Sequence, residues 1–181
     1  MGEVYDTTTI TKAFAESVAK HGTRPFLAVP ANAARGYFPE GFEITYIEAA
    51  SQIAALSADY RAAGYGKGHR VATLLENRPE YILHKLALNG LGVCCVPINP
   101  DYRAGEIAYL LDHSKPDLVL ALAAYAGRID EALGECAHRP PLTLLEQFGA
   151  RPLTAPSRPA GSAEPTPETA ASILYTSGTT G

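Results

Sequence analysis

Apolar side chains recur every four residues near the start of the chain, at Ile10, Phe14 and Val18 with small residues between. That spacing predicts a helix over residues 9–21 with one apolar stripe, stopped by Gly22. Residues 26–29 and 42–45 read as two short strands, joined across residues 30–41 by a loop of Gly, Pro and Asn into an irregular hairpin. Thr45 and Glu48 then stand at capping-box spacing, where hydroxyl and carboxylate each satisfy an orphan backbone donor. A helix from there to about Ala63, closed by Gly64, follows.

Beyond Gly66-Lys67-Gly68 the pattern changes to short apolar runs alternating with longer amphipathic stretches. Residues 71–75 predict a strand, a helix opens at Pro79 and carries Tyr81, Ile82 and Leu86, and residues 93–98 predict the next strand. The alternation continues with a helix over 104–114, a strand over 118–121, a helix over 125–136 and a short apolar segment at 142–145. Strands that alternate with helices predict an α/β fold: a doubly wound, mostly parallel sheet of at least four strands with helices on both faces, plus the N-terminal hairpin.

Between residues 149 and 169 five prolines stand among Ala, Ser, Thr and Gly, which forbids a regular element and predicts an extended surface connection. It leads to a further strand over 170–175 and to Thr176-Ser177-Gly178-Thr179-Thr180-Gly181. The predicted organisation is therefore a first α/β subdomain over 1–148, a Pro-rich connection over 149–169, and a strand with its loop over 170–181.

That last loop carries the candidate chemistry. Glycines at 178 and 181 let the backbone approach a ligand closely and turn successive N–H groups into one concavity, a nest that attracts anions. Four hydroxyls surround it and no carboxylate repels a phosphate, so ATP is the natural candidate. Two other readings stand beside this one. An ordinary Ser/Thr/Gly turn has the same composition. A Walker A loop needs a Gly-Lys-Ser/Thr ending after four intervening residues, and only two separate Gly178 from Gly181.

Composition narrows the partners. With 15 Lys and Arg against 19 Asp and Glu, the net charge of -4 gives no electrostatic footprint for nucleic acid or an anionic membrane. No apolar run approaches the roughly 20 residues of a membrane span, and the acidic start differs from a basic leader, so a cytoplasmic location is expected. Cys94, Cys95 and Cys136 read as reduced core residues, and the five scattered histidines do not form a zinc-type cluster. Asp112-His113-Ser114 has the composition of a triad, but consecutive helical residues point in different directions and cannot assemble one. Lys67, His69, Arg70, Arg78 and Glu80 are expected to be solvated or capping charges.

Several segments resemble the amino-terminal third of AMP-forming acyl-CoA synthetases, in the adenylate-forming superfamily that also holds luciferases and peptide-synthetase adenylation domains. They are Ile44-Thr45-Tyr46, residues 66–72, Glu76-Asn77-Arg78-Pro79-Glu80-Tyr81, Val96-Pro97-Ile98-Asn99-Pro100, residues 106–111, and the run from Tyr175 to Gly181, which is similar to the family's phosphate loop. The resemblance implies that the chain is an incomplete portion of a larger N-terminal domain. It implies a carboxylic acid substrate that attacks the α-phosphorus of ATP, release of pyrophosphate, and displacement of AMP by the thiol of coenzyme A.

Carried over by position, Thr176, Ser177, Gly178, Thr179, Thr180 and Gly181 hold the ATP phosphates, and Thr176 is the hydroxyl nearest magnesium. Ile173 and Tyr175 anchor the strand. The loop lysine, the adenine- and ribose-binding segments and the mobile carboxy-terminal domain are implied to lie beyond Gly181, so the chain alone is expected to be inactive, with exposed apolar patches where the remainder packs. No catalytic residue is expected within it. Thr179, where peptide-synthetase domains commonly have Ser, favours ligation to coenzyme A. A non-catalytic α/β binding module and a homo-oligomer are the further readings.

Overall fold

A computed structural model describes residues 8–146 and 153–175 of the chain. Helix α1 (Ile10–His21) is capped by Thr9, whose hydroxyl accepts from the Lys12 amide at 3.2 Å. Strands β1 (Pro25–Val29) and β2 (Phe42–Thr45) form the anticipated antiparallel hairpin, with an irregular register between Pro25 and Leu27. Helix α2 (Tyr46–Ala62) carries the capping box: Glu48 N donates to Thr45 Oγ1 at 3.3 Å, and Thr45 N donates to Glu48 Oε2 at 2.8 Å. Gly64 takes φ +97°, the left-handed geometry that lets the chain leave the helix without a Cβ clash. Replacing Thr45 by Ala is expected to lower stability by about 1 kcal/mol, measured by urea unfolding.

The main sheet is built from β3 (Arg70–Leu74), β4 (Cys94–Pro97), β5 (Leu118–Leu122) and β6 (Leu142–Leu145), all parallel, in the order β4-β3-β5-β6. Between them run α3 (Pro79–Gly90), α4 (Ala104–Ser114) and α5 (Ala126–Glu135), the last preceded by a 3-10 turn over Ala123–Tyr125. Period-two alternation assigns the two faces. Ala72, Leu74, Val96, Val119 and Ala121 pack with Ile107 and Leu111 of α4 and Ile129 of α5. Val71, Cys95, Leu118 and Leu120 pack on the other face with Tyr60 of α2 and Ala87 and Leu88 of α3. The hairpin closes over Leu83 through Ile44, Phe26 and Phe42. This is the doubly wound sheet the alternation predicts, covered on both faces.

Strand order reverses after β4. The chain steps from β3 to β4, then crosses back over β3 to reach β5, so the connections that leave the neighbouring carboxyl ends of β3 and β5 run to opposite faces of the sheet, at a topological switch point.

Three expectations change. Residues 170–175 do not form a full strand: they make one parallel bridge, Cys95 to Ser172, with Cys95 N donating to Ala171 O at 3.0 Å and Ile173 N to Cys95 O at 2.9 Å. Backbone groups alternate sides along β4, so the next outward-facing donor falls on Pro97, which has no N–H. His69 is fully buried instead of solvated: its Nδ1 accepts from Gly66 N at 3.1 Å and its Nε2 lies 2.8 Å from the Arg158 carbonyl. Glu80 is also buried, and burial holds its carboxyl above the usual range.

The Pro-rich connection lies on the surface but is strapped down. Tyr65 Oη donates to Thr154 O at 2.7 Å, Gly161 N to Lys67 O at 2.9 Å, and Lys67 Nζ to Glu164 O at 3.0 Å. Arg158 closes on Asp117 with two bonds of 2.8 Å. Its irregular backbone thus finds partners without a ladder, as a Pro-rich segment must.

Candidate nucleotide-phosphate site

At the carboxyl ends of β3 and β4 the chain surrounds a cleft of about 320 Å³, lined in part by Thr73, Glu76, Asn77, Asn99, Leu174 and Tyr175. Open α/β sheets take ligands at this edge because the loops there diverge and leave a crevice. The structural reasons are local. Pro79 starts α3 at its first helical position, after the connection 75–78 that leaves β3; Pro97 ends β4 and leads into the 98–100 segment on the opposite wall.

Glu76 sits at the switch point with φ +57°, a left-handed conformation rare for a residue with a Cβ. Its carboxylate explains why the strain is tolerated. Tyr125 Oη, just beyond β5, donates to Oε1 at 2.6 Å, and Arg78 Nε donates to Oε2 at 2.9 Å. Burial pushes the Glu76 carboxyl up, but the bonds from Tyr125 and Arg78 outweigh it and hold the group below the usual carboxylate range. Burial, and then the same carboxylate, push the Tyr125 phenol up to about 12. The Arg78 guanidinium also stacks 4.0 Å above the Tyr37 ring, tying the hairpin loop to the cleft. The two charges of the cleft mouth are therefore spent on each other, leaving its described walls close to neutral.

Leu174 and Tyr175 carry the chain along the cleft to Thr176. The six predicted phosphate-binding residues, Thr176, Ser177, Gly178, Thr179, Thr180 and Gly181, lie outside the described residues, as does the predicted magnesium hydroxyl of Thr176. What the structure fixes is their root. Ile173 and Tyr175 pack against the α4 and α5 face of the sheet, while Leu174 is 70% exposed. Among the described residues no group of three or more His, Cys, Asp and Glu side chains could hold a metal ion. Both Glu76 oxygens already have donors.

Asp112, His113 and Ser114 part company as helix geometry dictates. Asp112 accepts from Ala137 N and His138 N, Ser114 Oγ donates back to Leu110 O at 2.6 Å, and His113 Nδ1 meets Tyr175 Oη at 2.6 Å. The three cysteines are buried and free. Sequence reasoning missed Glu76, Tyr125, Asn89 and the His113 contact. Each acts through a partner distant in sequence, and Glu76 occupies a conformation for which Gly or Asn is the usual signal.

The fold is that of a doubly wound α/β domain with a cleft at the carboxyl edge of its sheet. Residues 14–181 match the AMP-binding enzyme family, and the chain belongs to that family. The AMB antimetabolite synthetase AmbB of Pseudomonas aeruginosa is 36% identical over 140 residues, covering 76% of this chain and 10% of that protein. A long-chain-fatty-acid–CoA ligase of Mycobacterium tuberculosis is 36% identical over 124 residues, covering 66% of this chain and 24% of the ligase. The chain therefore spans about a tenth of one relative and about a quarter of the other. The crystal structure of a long-chain-fatty-acid-CoA ligase from Archaeoglobus fulgidus superposes with a TM-score of 0.77 at 20% identity, over 99% of this chain and 36% of that one, which establishes the shared fold. No helix among the described residues is long and apolar enough to cross a membrane.

Proposed function

We propose that this chain supplies the ATP-phosphate-holding part of an ATP-dependent carboxylate–CoA ligase. The observation that supports the reading is the placement of the chain from Ile173 to Tyr175: Ile173 and Tyr175 pack on the sheet, Leu174 and Tyr175 line the cleft at its carboxyl edge, and the hydroxyl- and glycine-rich residues 176–181 follow directly in the sequence. Backbone amides and hydroxyls of that loop orient the β- and γ-phosphates, so that a carboxylate attacks the α-phosphorus in line and pyrophosphate leaves. Coenzyme A thiol then displaces AMP and forms the thioester. By its position in the family-like loop, Thr176 is the hydroxyl that would hold magnesium, which would neutralise phosphate charge when bound. This chain contributes orientation and electrostatic stabilisation, and no acid or base.

A second reading is favoured by the match to AmbB, a synthetase of which this chain covers only 10%. On this reading the chain belongs to a peptide-synthetase-type adenylation domain, and the acyl-adenylate passes to a carrier domain instead of free coenzyme A. The whole polypeptide that carries this chain, assayed for ATP–pyrophosphate exchange against a panel of carboxylic acids, separates these outcomes. Exchange plus thioester formation with coenzyme A is the expected result. Exchange without thioester supports the carrier reading, and absence of acid-dependent exchange overturns both. The 181-residue chain by itself is expected to show no exchange.

A further inference from the structure

The segment leading into residues 176–181 has little backbone support, because Pro97 limits its pairing with β4 to the two bonds at Cys95. An edge held so briefly opens easily unless side chains reinforce it. Two do. Asn89 of α3, 7% exposed, donates from Nδ2 to Val93 O at 3.0 Å and to Ala171 O at 2.8 Å. Both partners are carbonyls, which fixes the amide orientation. It thereby ties the start of the segment to the residue that leads into β4.

At the other end, His113 of α4 contacts Tyr175 through Nδ1 and Oη at 2.6 Å, with the rings edge-on at 5.6 Å and 85°. The His113 ring is itself stacked on Tyr109, at 5.9 Å and 19°. Helices α3 and α4 cover opposite faces of the sheet. The segment is thus gripped from both sides, near its beginning and at its last residue, and Tyr175 precedes Thr176 directly.

We infer that Asn89 and His113 are positioning residues that hold the 170–175 segment in register, so that residues 176–181 present their amides to the ATP phosphates. The inference rests on the phosphate-loop reading above. Neither residue touches ATP in this scheme; loss of either grip lets the loop root swing and misaligns donors that must point at one ligand. His113 is on the surface, so its replacement leaves the core intact, whereas Asn89 is buried and its loss also strands carbonyls.

The test therefore uses His113→Ala and Tyr175→Phe, which delete the same bond from opposite ends, in the whole polypeptide. Each is expected to raise the KM for MgATP about fivefold, the effect of one hydrogen bond, with the KM for the acid and the unfolding midpoint unchanged. The double variant should be no worse than either single one, and His113→Asn, which puts a hydrogen-bonding atom near the Nδ1 position, should restore ATP affinity. Thr176→Val reports on the phosphate reading independently. If it raises the KM for MgATP while His113→Ala and Tyr175→Phe leave it unchanged, the positioning inference falls alone. An equal rise for every substrate, showing a general structural defect, also overturns it. If none of the three changes ATP affinity, the phosphate reading falls with it.

Discussion

Lowering the pH from 7 to 4 is expected to remove about 3 kcal/mol of folding stability through His84 alone. His84 lies on the inner face of α3, 8% exposed, with Nδ1 2.8 Å from Tyr60 Oη in the layer between α2 and α3. Burial disfavours the imidazolium and pushes its pKa down from 6.5 to about 4. A base whose folded pKa is depressed adds stability above its unfolded pKa and loses it as pH falls. The loss should therefore run from about pH 6.5 to pH 4, because the unfolded chain takes up a proton the folded chain refuses. Burial likewise raises the Tyr60 phenol, so this partner stays neutral throughout that range.

Carboxylates also titrate near pH 4, so the wild-type curve alone does not isolate the histidine. Urea unfolding of wild type and His84→Asn across pH 4 to 7.5 does. Asparagine places a neutral amide where Nδ1 stands and removes the titration, so the variant should start less stable at pH 7 and lose less on acidification. Parallel curves for the two proteins would refute the assignment.

His84 also shows what a sequence yields and withholds. Its place on a helix was legible from Pro79 and the spacing of Tyr81, Ile82 and Leu86, because helix period and N1 proline are local signals. The Thr45–Glu48 cap was legible for the same reason, and α4 and β6 match their predicted ranges of 104–114 and 142–145. Burial of polar groups was not. His69 looked solvated in a Gly-Lys-Gly-His-Arg turn, yet its Nε2 partner is a carbonyl 89 residues away, and no local pattern encodes that distance. Glu76 and Tyr125 meet only because the sheet order brings the ends of β3 and β5 together. The candidate site was legible through the composition of residues 176–181 and their likeness to a known loop. The side chains that root it, Asn89 and His113, announce themselves only in three dimensions.

The same long-range logic makes Asp117 the most consequential charge of the Pro-rich strap. Its carboxylate, just before β5, is buried on three donors: Arg70 N at 2.8 Å, and Arg158 Nε and Nη2 at 2.8 Å each. Replacing it by Ala strands the Arg70 amide and deletes a bidentate pair, which should cost about 2–4 kcal/mol. The reverse deletion differs. The Arg158 side chain is 48% exposed, so Arg158→Ala admits water to the carboxylate and should cost only about 1 kcal/mol. Asp117→Asn, which keeps one acceptor for Arg70 N, should fall between the two. Arg158 also donates to the Gly68 carbonyl at 2.5 Å, so either loss loosens the strap against the turn before β3. Hydrogen exchange separates that loosening from global unfolding: the Gly161 amide, bonded to Lys67 O, should exchange faster in Arg158→Ala while the Val119 amide in β5 keeps its protection. Equal acceleration at both amides, or equal stability losses for the two alanine variants, would show that the pair acts as a uniform surface contact and not as a buried anchor with one wet arm.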